Sequence, residues 1–163
     1  MIIRYTRSEE AEILWALRNR ALRHGCKSIY PDNILLAWTP EDMPPSYRQV
    51  IEDNPFFVID DENGKPVATG FLSLRDKSVE AVFTLPEYSG KGLARQIIEA
   101  IKQQAMVRNI TQLRLSSTPN ARAFYEKQGF KFIREDNYYS HLAGNSLACA
   151  EMVCDLSEPS TNR

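Results

Sequence analysis

Two glycines at a predicted turn between a strand and a helix have a spacing that suits a chemical task. Gly90 and Gly92 lie in the segment 86–95, PEYSGKGLAR, directly after a strand that a proline ends. The start of a helix offers unpaired N–H groups and a partial positive charge, which favour a phosphate or pyrophosphate. Glycines let the backbone approach such an anion closely. A glycine turn that only shapes the corner fits this short pattern equally well.

Two common nucleotide-binding motifs are excluded by the neighbouring residues. A P-loop requires Ser or Thr after Gly-Lys, whereas Gly92 follows Lys91. A dinucleotide fingerprint requires Gly or Ala three residues after the second glycine, whereas Arg95 stands at that position. The turn therefore belongs to neither class.

Two further side chains are candidates for moving a proton. Glu80 lies in a predicted strand whose apolar face consists of Val79, Ala81, Phe83 and Leu85. This alternation slightly favours a solvent-facing carboxylate at Glu80 over a catalytic one. His141 lies in a predicted polar loop, 136–146, and an ordinary histidine titrates near neutrality. It is an alternative base, although a lone loop histidine is more often solvated surface.

Composition limits the classes of protein and partner. The 163 residues are 43% hydrophobic and 25% charged, which predicts one domain, 1–156, with a frayed tail, 157–163. A formal net charge of −1 argues against nucleic acid or an anionic membrane as the main partner. No segment approaches the ~20 apolar residues of a membrane span. The three cysteines have no metal-ligand spacing, so we expect no metal site, reduced thiols and a cytoplasmic location.

The elements that must position these residues follow from hydrophobic periodicity and from turn residues. Helices are predicted over 8–24, with a capping box formed by Thr6 and Glu9, over 47–52, from Gly90 to about 105, and over 119–128. Asn63-Gly64 is typical of a hairpin turn. The predicted strands are 2–5, 56–59, 67–74, 78–85, 110–115, 130–134 and 147–156. This pattern predicts a mixed α/β layered domain.

Residues 79–132 resemble the core of the GNAT superfamily, the acyl-CoA-dependent N-acetyltransferases. The glycine turn is similar to the family's pyrophosphate motif, which Gly92 and Ala94 fit, while Ser89 stands where Arg or Gln is usual. The segment 120–130, NARAFYEKQGF, is similar to the family's second signature, an Asn that opens a helix ending in Phe-Tyr and then Gly-Phe. The segment 147–152 resembles the final strand of many bacterial members.

The resemblance implies a three-layer α/β/α fold with a mixed, mostly antiparallel central sheet, splayed between strands 78–85 and 110–115. It implies acetyl-CoA as cosubstrate, with no metal. The pantetheine arm would pair with the backbone of Val82, Phe83 and Thr84, and Asn120 would contact it at the mouth of the splay. The pyrophosphate would lie on the amides of Gly90, Lys91, Gly92, Leu93, Ala94 and Arg95.

The resemblance also implies the reaction, in which a primary amine directly attacks acetyl-CoA in a ternary complex. Tyr125 would be the general acid for the leaving thiolate, and Glu80 the group that receives the amine proton. A core tyrosine beside Phe124 is the alternative for Tyr125. A catalytically silent acyl-CoA-binding module and an interaction domain without CoA are the alternative functions. The acceptor stays open among polyamines, amino acids, aminoglycosides, peptide N-termini and protein lysines, and a homodimer is possible.

Overall fold

A seven-stranded sheet forms the centre of the computed structural model, which describes residues 1–157. The strands lie in the order β1-β2-β3-β4-β5-β7-β6, and every neighbouring pair is antiparallel except β4 and β5. Their bounds are Ile3–Tyr5 (β1), Phe56–Asp60 (β2), Pro66–Ser73 (β3), Ser78–Thr84 (β4), Gln112–Ser117 (β5), Lys131–Ser140 (β6) and Asn145–Asp155 (β7). The predicted mixed, mostly antiparallel sheet is confirmed.

Helices cover both faces of this sheet, as the predicted three-layer α/β/α arrangement requires. One layer holds α1, α2 and α3, and the other holds α4 and α5. Their bounds are Ala11–Gly25 (α1), Asp32–Trp38 (α2), Tyr47–Asp53 (α3), Leu93–Val107 (α4) and Arg122–Lys127 (α5). None of the helices in the described residues is long and apolar enough to cross a membrane.

The core between α4 and the sheet depends on a glycine in β3. The helix buries a stripe of apolar side chains, Leu93, Ile97, Ile98, Ile101 and Ala105, at the spacing that the sequence predicts. Gly70 faces this stripe, and a Cβ built there would lie 2.6 Å from Cγ2 of Ile97 and 3.0 Å from Cγ2 of Val82. The absence of a side chain at Gly70 therefore lets α4 pack closely on β3 and β4.

A β-bulge in β4 overturns the predicted alternation of that strand. Phe83 pairs with Thr69 and Glu80 pairs with Phe71, so that Ala81 and Val82 together stand opposite Gly70. Ala81 has a φ of 53°, in the left-handed region. Because the extra residue shifts the side-chain period by one, the face predicted from Val79, Ala81, Phe83 and Leu85 does not exist as such. Glu80 and Phe83 share the face toward α1, and Val82 faces α4.

The predicted splay lies between β4 and β5. Only Ser78 is registered with β5, opposite Arg114, whose N–H donates to the carbonyl of Lys77 at 3.1 Å. Beyond that point the two strands part, and within residues 1–157 no residue from 79 to 84 pairs with β5. The gap thus opens in the middle of the sheet rather than at its edge.

The N-terminal capping box lies one residue later than predicted. Thr6 Oγ1 is buried without a partner, whereas the carboxylate of Glu10 accepts the N–H of Arg7 at 2.9 Å. Arg4 donates to both oxygens of Glu10, at 2.9 and 2.8 Å, and these bonds lower the pKa of that carboxyl to about 2. The predicted pairing of Thr6 with Glu9 is wrong because the buried ion pair with Arg4 uses Glu10 instead.

Two other elements differ from the prediction, which has no helix over α2. Pro31 directly precedes the first turn of α2, where a proline costs no helical hydrogen bond. β6 continues to Ser140, so the predicted polar loop is largely a hairpin, and His141 lies in its turn. The predicted tail, 157–163, lies outside the described residues except for Ser157.

Replacement of Gly70 with Ala should lower the free energy of unfolding by about 1–3 kcal/mol, since the new methyl group overlaps Ile97. Chemical denaturation of Gly70→Ala, Ile97→Ala and the double variant measures this. Removal of Ile97 Cγ2 frees the space, so the double variant should lose less stability than the sum of the single losses. Additive losses would show that the close contact is not the cause.

Candidate active site

A cleft of about 880 Å³ occupies the gap between the parted strands. Residues 80–84 of β4 form one wall and residues 114–117 of β5 the other. The helices α1 and α5 and the hairpin of β6 and β7 complete it. Because the gap passes through the sheet, side chains from both helix layers reach one space.

Glu80 lies inside this cleft and not on the outer surface that the sequence slightly favoured. Its side chain is half-buried, and its Oε2 accepts a hydrogen bond from Ser78 Oγ at 2.6 Å. Burial raises the pKa of the Glu80 carboxyl, and the negative charges of Asp76 and Glu151 raise it further, against the opposing hydrogen bond from Ser78. A carboxyl with a raised pKa is a stronger base when ionised, which suits acceptance of a proton from an amine.

Tyr125 reaches the same cleft from α5, on the opposite face of the sheet. Its ring packs edge-on against Phe124 and Phe130, with centroids 5.2 and 6.0 Å away. Burial raises the pKa of the phenol above its ordinary value, and the charge of Glu80 adds to this rise. Among the described residues, no group forms a hydrogen bond with the Tyr125 hydroxyl. The phenol therefore stays protonated at neutral pH, with its proton free to donate to a ligand.

His141 does not join these two groups. Its imidazole is exposed in the turn between β6 and β7, where it packs edge-on against Tyr139 at 5.1 Å. It is absent from the lining of the cleft. Of the two predicted bases, the fold brings only Glu80 beside Tyr125.

The glycine turn forms an open cradle at the N-terminus of α4. Gly90 and Gly92 have φ values of 75° and 77°, in the left-handed region that glycine tolerates. No atom lies within 4 Å of a Cβ built at either glycine. Within the described part of the chain, the N–H groups of residues 90–95 have no protein acceptor, and Lys91 and Arg95 are exposed without an ion pair. These free donors fit a pyrophosphate.

The backbone of β4 and one hydroxyl are also available to a ligand. Val82, Phe83 and Thr84 line the cleft, and β5 pairs with none of them. Thr84 Oγ1 is buried without any hydrogen-bond partner. Unpaired polar groups inside a protein cost free energy unless a ligand or water satisfies them. An extended amide chain, such as the pantetheine arm of CoA, could form hydrogen bonds both with the unpaired backbone of β4 and with the Thr84 hydroxyl.

Asn120 lines the cleft, and its side chain joins two elements of the fold. Its Nδ2 donates to the carbonyl of Gly25 at 3.1 Å, and its Oδ1 accepts a weak bond from Cys26 Sγ at 3.9 Å. The residue thus joins the start of α5 to the end of α1. The expected pantetheine contact would add to this structural role.

The end of the cleft beside α1 is walled by residues of α1, α2 and β6, and the most informative of them, Arg18, is not among the sequence-predicted site residues. Arg18 follows Leu14 by four residues and precedes Leu22 by four, so it interrupts the buried stripe of α1. A charged residue on an apolar stripe was the available signal. Other residues lining this end are Ala21, Leu22, Cys26, Tyr30, Trp38 and Tyr138.

Comparisons with known proteins agree with this architecture. A family model described as an acetyltransferase (GNAT) domain matches residues 30–144. Peptidyl-lysine N-acetyltransferase YjaB of Escherichia coli (strain K12) is 28% identical over 132 residues, which cover 79% of this chain and 81% of that protein.

Two solved structures share the fold. A GCN5-related N-acetyltransferase from Rhodopseudomonas palustris superposes with a TM-score of 0.85 over 95% of both chains, at 19% identity. The PaiA N-acetyltransferase of Thermoplasma acidophilum, solved with coenzyme A, has a TM-score of 0.75 at 16% identity and covers 94% of this chain and 98% of that one. With the family model matching more than half of its length, this chain belongs to the GNAT family of acetyltransferases and is an acyltransferase of that type.

Proposed function

We propose that this protein transfers an acetyl group from acetyl-CoA to a primary amine by direct attack within a ternary complex. The observation that carries the proposal is the gap between β4 and β5, where Glu80 and Tyr125 line one cleft from opposite faces of the sheet. Membership of the GNAT family and the fold shared with a CoA-bound relative support acetyl-CoA as the donor. YjaB, a peptidyl-lysine acetyltransferase, supports an amine as the acceptor.

The chain's own residues supply positioning and two proton transfers. The amides of residues 90–95 hold the pyrophosphate, and the backbone of Val82, Phe83 and Thr84 holds the extended arm, with Asn120 at its mouth. Acetyl-CoA brings the acetyl group as a thioester. A neutral amine attacks its carbonyl carbon, so that a C–N bond forms, and the C–S bond then breaks to release the CoA thiolate. Glu80, as a carboxylate, accepts a proton from the amine, and the Tyr125 hydroxyl donates its proton to the thiolate sulfur. Neither step requires a metal. A homodimer and a cytoplasmic location stay predictions.

Gly92→Asp should weaken CoA binding roughly tenfold or more, because its carboxylate would lie beside the bound pyrophosphate. Gly92→Asn is the matched control, since Asn has the same shape without the charge and tolerates the left-handed region. Isothermal titration of both folded variants with CoA measures the difference. Equal affinities of the Asp and Asn variants would contradict a pyrophosphate at this turn.

Glu80→Gln should lower the rate of acetyl transfer chiefly below the pKa of the acceptor amine, where removal of the amine proton limits the reaction. The loss should shrink at high pH, where free amine is abundant. A pH profile of kcat/KM for both proteins measures this. A loss of equal size at every pH would instead indicate that Glu80 only positions the amine.

The stability of the same variant provides its control. Because burial raises the pKa of Glu80 in the folded protein, wild-type stability from this group is present at low pH and is lost as pH rises through the folded-state pKa. Glu80→Gln should therefore melt at a higher temperature than wild type at pH 8, and this difference in melting temperature should shrink toward pH 4. The opposite trend would mean that Glu80 is stabilised as a charge in the folded protein.

Tyr125→Phe should lower single-turnover acetyl transfer by ~10²-fold or more, since the ring stays while the donated proton is lost. CoA affinity and melting temperature should change little, because the hydroxyl bonds to no described residue. Tyr139→Phe, at an exposed ring outside the cleft, is the control. An unchanged rate in Tyr125→Phe would mean that water protonates the thiolate. If the wild-type protein binds CoA but acetylates no amine, the protein is instead a silent acyl-CoA-binding module.

A further inference from the structure

Arg18 is a cation in the cleft to which the described protein offers no carboxylate. Its Nη1 donates to Asn19 Oδ1 at 2.8 Å and to the carbonyl of Trp38 at 3.0 Å, both neutral acceptors. Its Nε and Nη2 have no acceptor within residues 1–157. Arg20 and Arg23, on the same helix, instead reach the carboxylates of Glu87 and Glu41. Among the three arginines of α1, the one without a carboxylate partner is thus the one that lines the cleft.

The guanidinium of Arg18 is held in a fixed position by aromatic rings. Its central carbon lies 4.2 Å from the ring centroid of Trp15 and 5.7 Å from that of Trp38. Trp15 Nε1 and Asn19 Nδ2 both donate to the carbonyl of Pro40, at 2.7 and 2.8 Å, which fixes the platform beneath. Burial lowers the pKa of Arg18 to about 10, so the group remains charged at neutral pH. A partly desolvated charge of this kind is costly without an anion.

The charges elsewhere in the cleft do not provide that anion. Arg18 forms no ion pair with Glu80, although both side chains line the same space. Asp76 is paired with its neighbour Arg75 at 3.3 Å. Glu151 accepts hydrogen bonds from Ser116 Oγ at 2.7 Å and from Cys149 Sγ at 3.4 Å. Arg114, on β5, also lines the cleft, but its side chain is exposed, whereas Arg18 is half-buried. The half-buried cation at the α1 wall and the carboxyl of Glu80 on β4 therefore complement a ligand that carries both signs of charge.

We propose that the acceptor is a primary amine that also carries a carboxylate, as an amino acid does, and that Arg18 binds this carboxylate. The free N–H groups on Nε and Nη2 form the parallel fork that matches the two oxygens of one carboxylate. The amine then lies toward Glu80 and Tyr125. This inference rests on the proposed amine acetylation and names its substrate class. A lysine side chain within a protein has no such carboxylate and would leave Arg18 unpaired.

Matched acceptors test the carboxylate directly. Acetyl transfer is measured for α-amino acids and for ω-amino acids of two to six carbons, each beside its carboxamide, with rates corrected for the fraction of free amine. Wild type should favour the best carboxylate over its carboxamide by about tenfold or more in kcat/KM. Arg18→Met, whose thioether can still pack on the two indoles, should reduce this ratio to near one. Arg20→Met, on the same helix, should keep the wild-type ratio.

A wild-type ratio near or below one, or a ratio that persists in Arg18→Met, overturns the inference. If Arg18→Met does not fold, Arg18→Lys replaces it and should lower the ratio, because a lysine cannot form the fork; an unchanged ratio there overturns the inference.

If no amine of either kind is acetylated, the proposed function fails, and titration of the CoA-saturated protein with the same pairs tests Arg18 by itself. Tighter binding of the carboxylate that Arg18→Met abolishes supports the anchor. Equal binding of the carboxylate and its carboxamide overturns it.

Discussion

The parting of β4 from β5 is the constraint on which the rest of this site depends. A sheet normally satisfies the N–H and C=O groups of a central strand on both sides, but here β5 pairs with β4 only at Ser78. The fold therefore carries an unpaired backbone edge in its interior, where water and ligands are the remaining partners. Thr84 Oγ1 adds a buried hydroxyl without a partner beside this edge. Such a strand is ready to accept an extended chain that supplies amide groups.

The gap also lets the two helix layers act on one substrate. Glu80 points toward α1, whereas Tyr125 comes from α5 on the opposite face. In a continuous sheet the backbone and side chains of β4 and β5 would separate these two groups. The close packing of α4 at Gly70 holds one layer in place, and the bonds from Asn120 to the end of α1 hold the other. The proposed acid and base thus line one cleft from opposite faces of the sheet.

Local patterns in the sequence were sufficient for most of the helices and strands and for the glycine turn, but not for α2 or for the inner surface of the cleft. The turn at Gly90 and Gly92 and the stripe on α4 depend on residues close in the chain, so their periodicity and conformational needs are readable. The bulge at Ala81 depends on how β4 pairs with β3, which no local pattern records. Alternation does put Glu80 on the face opposite Val79, but that face is covered by α1 and lines the cleft, which the pattern of β4 alone does not record. Arg18 was overlooked because its meaning arises only when α1 meets the gap.

Desolvation in this cleft acts on acids and bases in opposite directions, and it links the site's groups by a single cause. Burial raises the pKa of Glu80 and of Tyr125, and it lowers that of Arg18. The rise brings the pKa of the Glu80 carboxyl nearer to the pKa of an amine. The raised pKa of the Tyr125 phenol keeps its proton in place until the thiolate of the proposed reaction forms. The same dry surroundings strengthen the attraction between Arg18 and an anion. In the proposed reaction, the burial that shifts the pKa values of Glu80 and Tyr125 therefore also favours an acceptor that carries a carboxylate.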